Sequence, residues 1–260
     1  MKRNILLLGV VVIFGACTAQ RQTRLFNLAE EKIEGGSYFE GADALRRGIA
    51  LNPQSTMALK AIYRLGLLQE IYIRDYEAAL NSYKEYLTIA KDYVGLYEVQ
   101  KRVANIYFDH FQDPEKAILT YRRLLELQPD SLEKDQFQYR VGRSYFLQNN
   151  FSDSRSAYQE LVDGMSRSEL VPKARFEIGN TYFMEGKFDL AVEVFKQVLR
   201  FHAQHPQAIE AQFWIAQSYE QLGDLKQAQL YYEQLRLKYP TPGVIEKRLT
   251  DLKARVKRGG

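Results

Sequence analysis

The chain has few of the residues that carry chemistry. Among 260 residues there is one cysteine, one tryptophan and three histidines. A single cysteine, Cys17, can form no internal disulfide. His110 stands alone, and His202 and His205 flank the junction before Pro206 with no carboxylate or thiol within a few residues. That is not metal-ligand spacing, so no metal residue is assigned. Glycine-rich phosphate loops, nucleophile elbows and zinc-type motifs are missing. The paired carboxylates Glu30 and Glu31 fall on a solvated helix. No catalytic residue is assigned, and the chain is expected not to be an enzyme. An excess of one charge is missing too. Lys and Arg number 36 against 32 Asp and Glu, a formal charge of +4, too mild to imply nucleic acid. The apolar run Ile5 to Phe14 is ten residues, short of the ~20 that span a bilayer as a helix.

What the chain has instead is an echo. Val141-Gly142-Arg143-Ser144-Tyr145-Phe146 returns 37 residues later as Ile178-Gly179-Asn180-Thr181-Tyr182-Phe183, and again as Ile215-Ala216-Gln217-Ser218-Tyr219-Glu220. Ser154, Ala191 and Ala228 repeat at the same offset, as do Tyr158, Phe195 and Tyr232. Such a period means stacked modules rather than one globular core. Each module reads as two amphipathic helices. In one, Phe176, Gly179, Tyr182 and Phe183 recur at helical spacing, and Gly186 ends the helix where a left-handed residue is needed. Leu190, Val194, Val198 and Phe201 then form one stripe, and Pro206 marks the exit. Gly179 and Ala191 are small where the two helices are expected to cross.

These positions resemble the tetratricopeptide repeat. Residues 172–208 carry Gly179, Tyr182, Gly186, Phe188, Ala191 and Phe195 of its pattern, and 209–240 carry Ala216, Tyr219, Gly223, Ala228, Tyr232 and Pro240. Residues 135–164 add Gly142, Tyr145, Asn149, Ser154 and Tyr158. Two earlier modules are looser, each with one extra residue in its first helix. One holds Ala104, Tyr107, Asp113, Ala117, Tyr121 and Pro129, the other Gly66, Asp75, Ala79 and Tyr83. A sixth holds Ala29, Gly36, Gly41, Leu45 and Pro53. The resemblance implies an all-α fold, an α-solenoid of about six helix pairs in a right-handed superhelix. It also implies that the first helix of each pair lines a concave face that holds a partner peptide. Aligning the modules puts Phe108, Tyr139, Arg143, Phe146, Phe176, Asn180, Phe183, Phe213 and Gln217 on that face. Lys101 and Asn105 resemble the start of a carboxylate clamp, but Arg140 stands where the clamp expects Asn.

The front of the chain resembles a bacterial lipoprotein signal. Lys2 and Arg3 precede the apolar run, and Gly15 and Ala16 precede Cys17, with Phe14 where Leu is usual. The resemblance implies cleavage before Cys17 and a covalent diacylglycerol and acyl chain on it, with no other cofactor. Thr18 rather than Asp follows, which implies the periplasmic face of the outer membrane. The expected organisation is a leader over 1–16, the lipidated cysteine and a short polar linker over 17–23, repeats over 24–240, and a capping helix over 241–258. Ile245, Leu249, Leu252 and Val256 share a face of that last helix. Its basic residues from Lys247 to Arg258 suit either a solvated cap or contact with anionic lipid.

A repeat array starting just after a lipid cysteine, with long repeats and the closure Lys238-Tyr239-Pro240, is similar to BamD, the β-barrel assembly lipoprotein, and to the Tol-associated coordinator CpoB. Six repeats also resemble the pilotin lipoproteins of type IV pilus systems, which carry secretin subunits. The resemblances imply a scaffold that partners other envelope proteins and meets the membrane through its anchor.

Overall fold

The computed structural model describes residues 2–128 and 131–259. Pro129 and the side chains of the expected leader and of Val256 and Arg258 lie outside the described residues. Among the described residues every regular element is helical. The chain divides into two units, residues 1–113 and 114–260.

The first unit holds two helix pairs and a further first helix. They are α1 (Lys2–Glu34), α2 (Tyr38–Leu51), α3 (Thr56–Leu68), α4 (Tyr76–Ile89) and α5 (Tyr93–Asn105). Residues 18–23 are not a linker but a turn and a half of α1. Gln22 explains this: it is 2% exposed, and its amide donates to the carbonyls of Gly48 and Asn52 at 3.0 Å each. A polar side chain so satisfied is stably buried. The single insertions foreseen in the looser modules appear as π turns, Gln69–Ile73 after α3 and Ile106–His110 after α5. A π turn takes up one extra residue without breaking the helix.

The second unit holds α6 (Pro114–Leu127) and three regular pairs. These are α7 (Lys134–Leu147) with α8 (Phe151–Gly164), α9 (Val171–Met184) with α10 (Phe188–Phe201), and α11 (Gln207–Gln221) with α12 (Leu225–Leu235). The closing helix, α13 (Pro242–Gly259), buries Ile245, Leu249 and Leu252 against Ala228, Tyr232 and Leu235. Ile245 and Leu252 stand 37 residues beyond the buried Ala208 and Ile215. Thus α13 is built as the first helix of a further repeat, and it caps the last pair.

Each hairpin reverses through one left-handed residue. These are Gly36 (φ 79°), Arg74 (59°), Gln112 (49°), Asn149 (58°), Gly186 (75°) and Gly223 (80°). Glycine adopts this region freely, and other L-residues do so at a cost. Tyr83, Tyr158, Phe195 and Tyr232 are fully buried and form the heart of their hairpins, each contributing about 1.5–3 kcal/mol on burial. The small residues of the first helices make room for these rings. A Cβ on Gly66, Gly142 or Gly179 would lie 2.5 Å from Tyr83, 2.7 Å from Tyr158 or 2.6 Å from Phe195. The partner of Gly179 is therefore the Phe195 ring rather than Ala191. The backbone approach expected at that crossing is seen one repeat earlier, where the Ser154 hydroxyl donates to the Gly142 carbonyl at 2.8 Å.

Candidate functional site

In the second unit the first helices α7, α9 and α11 touch through side chains of one face. The Tyr139 hydroxyl on α7 donates to Glu177 Oε1 on α9 at 3.2 Å. Phe183 on α9 meets the Trp214 ring on α11 edge-on at 4.7 Å between centroids. Arg143, Asn180 and Gln217 occupy one level of this face, 37 residues apart, and Phe146 and Phe183 occupy the next. All five are half-buried.

Glu177 is the hub. It is 9% exposed, accepting from Tyr139 on one oxygen and from Asn180 Nδ2 on the other at 3.1 Å. The Lys173 ammonium sits over the Tyr139 ring at 4.7 Å, and the Arg143 guanidinium over the Phe146 ring at 5.0 Å. Burial first and the Glu177 carboxylate second push the Tyr139 hydroxyl well above the usual phenol range. Burial, Glu177 and Tyr139 do the same to Tyr158. The Tyr158 hydroxyl is buried without a hydrogen-bond partner among the described residues. The face thus offers a guanidinium, two side-chain amides and two aromatic edges, held in place by the buried Glu177 carboxylate, to a segment laid across it. That mixture suits an apolar and polar peptide.

The other expected groove residues separate from this set. Phe176 and Phe213 are each 8% exposed and belong to the core. Phe176 packs on Phe195 at 5.3 Å and Phe213 on Tyr232 at 5.7 Å. Their position, three residues before the small residue, faces the ring of the second helix, so placing them on the groove was an error of helical phase. Tyr139, at the same level, packs on Tyr158 at 5.4 Å but keeps its hydroxyl at the face. Phe146 and Phe183 also lean on Phe151 and Phe188, so one side of each ring is spent on its own hairpin. In the first unit, half-buried Phe108 lies in the second π turn. The clamp residues are engaged elsewhere: Lys101 pairs with Glu98 at 3.1 Å, and Arg140 donates to the Tyr121 hydroxyl at 2.7 Å.

Glu177 and Trp214 were missed from sequence. Both occupy the level two residues before the small residue, where the echo reads Arg140, Glu177 and Trp214. Divergence within an otherwise constant frame was the available signal. Among the described residues no group of three His, Cys, Asp or Glu side chains could hold a metal ion. Among them also, no helix is long and apolar enough to cross a membrane. His202 contacts Arg175 at 3.3 Å, and His110 stacks on Tyr76 at 3.6 Å.

Two models of the tetratricopeptide repeat match the chain, one over residues 182–255 and the other over 106–174 and 139–206. Together they span residues 106–255, more than half of the chain. No curated protein matches it in sequence. Among solved structures it is similar to PilW, described as a widely conserved type IV pilus biogenesis factor. That match has a TM-score of 0.53 and 16% identity, over 90% of this chain and 98% of that one. A tetratricopeptide repeat protein from Parabacteroides merdae gives 0.56 and 18%, over 92% and 87%. The apo form of RapI gives 0.63 and 15%, over 91% and 72%. At these identities the likeness is one of fold.

Proposed function

Because the chain belongs to the tetratricopeptide-repeat family, we propose that it is a membrane-anchored scaffold of the bacterial cell envelope. In this reading Cys17 is acylated and holds the chain at the periplasmic face of the outer membrane. The face of α7, α9 and α11 takes a segment of another envelope protein. The observation that carries the partner reading is the Glu177 hub, with Arg143, Phe146 and Phe183 around it. Repeat proteins hold partners on such extended surfaces. Cys17 is exposed on α1, which supports its availability for modification.

The machine served is proposed to be β-barrel assembly, on the resemblance to BamD. Service in type IV pilus biogenesis is the second reading. It is favoured by the match to PilW over 98% of that chain and by the repeat count. A CpoB-like role in coordinating cell-wall synthesis with division is the third.

A photo-crosslinker replacing Phe146 or Phe183, in cells, tests the groove. The expected result is one dominant envelope partner, absent when the crosslinker replaces Leu190, which is exposed on α10. Equal labelling from all three positions would remove the groove reading. A barrel-assembly protein, a secretin or a cell-wall synthase as the crosslinked partner decides among the three machines.

A further inference from the structure

The first hairpin has an outer face that no other element of its unit covers among the described residues. On the inner side of α1, Ala29 and Ile33 enter the core, and Glu30 pairs with Arg64 of α3 at 2.7 Å. Arg21 and Arg24 are exposed on the same helix, and Leu25 lies against Gly48 of α2. With Arg47, Ala50 and Leu51 of α2 they line a cavity of about 450 Å³.

Three exposed arginine side chains therefore line one open cavity. Arg21 and Arg24 make no ion pair among the described residues. Arg47 reaches Asp43 only at 3.7 Å, with its side chain 64% exposed. Such a surplus of exposed positive charge attracts an anion. The walls are fixed in place, because Gln22 ties α1 to the end of α2 through Gly48 and Asn52, and the Ser55 hydroxyl donates to Gln22 at 2.9 Å. Cys17 precedes Arg21 by one helical turn, about 6 Å along the axis.

We infer that this cavity seats the phosphate of an anionic lipid headgroup beside the acylated Cys17. The inference rests on the anchor reading of Cys17 given above. Guanidinium groups bind phosphate oxygens in pairs, with geometry an ammonium lacks. Leu25 and Leu51 then face the boundary between headgroups and acyl chains. The acyl anchor keeps the protein at the membrane, and the cavity holds the first hairpin in one orientation upon it.

The full chain as cells produce it is offered a choice between neutral phosphatidylcholine vesicles and vesicles that also contain phosphatidylglycerol. The acyl chains contribute equally to both, so the change in the distribution ratio between the two variants reports the cavity. The mass of the Cys17 peptide is read in parallel. The wild-type chain should prefer the anionic vesicles by about a hundredfold at low salt, from three arginines near the surface. The triple variant Arg21→Gln, Arg24→Gln, Arg47→Gln should lose that preference. The variant Lys60→Gln, Lys84→Gln, Lys226→Gln, equal in charge and on exposed positions, should keep it. Equal losses in the two variants would overturn the inference. So would inorganic phosphate erasing the preference at constant ionic strength, which assigns the cavity to a soluble anion. So would self-association that the arginine variant abolishes, which assigns it to a second copy. An acylated Cys17 with no arginine-dependent preference removes the cavity and leaves the anchor. An unmodified Cys17 with the preference intact removes the anchor and leaves the cavity.

Discussion

In the first unit Gly66 and the ring that covers it, Tyr83, are 17 residues apart. In the second unit Gly142 and Tyr158, and Gly179 and Phe195, are 16 apart. The contact is nevertheless the same, a glycine beneath a fully buried ring. The extra residue of the first unit is absorbed between them, in the π turn Gln69–Ile73. The insertion leaves one mark. Glu70 comes to the Tyr83 hydroxyl at 2.5 Å and to Arg102 at 3.1 Å, so the buried phenol is satisfied. The hairpin reverses through Arg74, a non-glycine like Asn149 of the α7–α8 hairpin, which has no insertion. In the second unit Phe146 and Phe183 stand at the level that Glu70 holds in the first. There the Tyr158 hydroxyl has the Tyr139 hydroxyl nearby but makes no well-formed hydrogen bond among the described residues, and Phe195 needs none. The comparison teaches that the ring contact sets the frame, while backbone and polar partners adjust around it.

The largest expected effect tests the shared frame. Gly179→Leu and Gly66→Leu should each cost about 1–3 kcal/mol by overpacking against Phe195 and Tyr83. Unchanged melting curves for either would break the equivalence of the units. The next separates them. Tyr83→Phe removes a hydrogen bond to a carboxylate and should cost about 1.5 kcal/mol, whereas Tyr158→Phe removes an unsatisfied hydroxyl and should stabilise by about 1 kcal/mol. Opposite signs in urea unfolding are the readout, and equal signs would remove the distinction. Smaller again, Arg74→Gly and Gln112→Gly should each stabilise by about 1 kcal/mol by relieving left-handed backbone. In the second unit Gly186 and Gly223 leave no such gain to be made, and Asn149 alone retains it.

The smallest concerns pH and only the second unit. Burial, then the Arg175 guanidinium and His205, hold the His202 imidazole below the usual histidine range. A base depressed in the fold contributes stability that is present above its unfolded pKa, ~6.5, and lost as pH falls through the folded value. Stability should therefore decline as pH drops below neutrality. His202→Gln should flatten that decline, and an identical profile for the variant would discount the contribution.

Much of this architecture was legible in the residues. The 37-residue echo marked the hairpins of the second unit, and Gly186 marked a left-handed reversal. The single insertions were countable as spacing, although spacing alone does not say that a helix absorbs them as π turns. The groove was legible only in part. Arg143, Phe146, Asn180, Phe183 and Gln217 are half-buried, whereas Phe176 and Phe213 are turned inward by rings 19 residues later. Aromatic character does not distinguish a ring that caps a core from one that meets a partner. Glu177 was hidden because its role depends on Tyr139 from the neighbouring repeat. The linker expected over 18–23 was hidden because Gln22 is polar, and its buried partners are carbonyls some 26 to 30 residues away.

The closing helix has one more consequence. Gly142, Gly179 and Ala216 follow one another at intervals of 37, and the next position in that series is Lys253, exposed on α13. The inward side of α13 therefore obeys the repeat grammar, through Ile245 and Leu252, while the site where a following ring would settle carries a charged chain. The helix works like a terminal tile, cut to fit the row behind it and shaped to refuse the next. Repeats could be inserted ahead of α13 without altering that fit, but another helix pair could not dock beyond it in the same way. The inward fit and the outward charge are thereby carried by two sides of one helix.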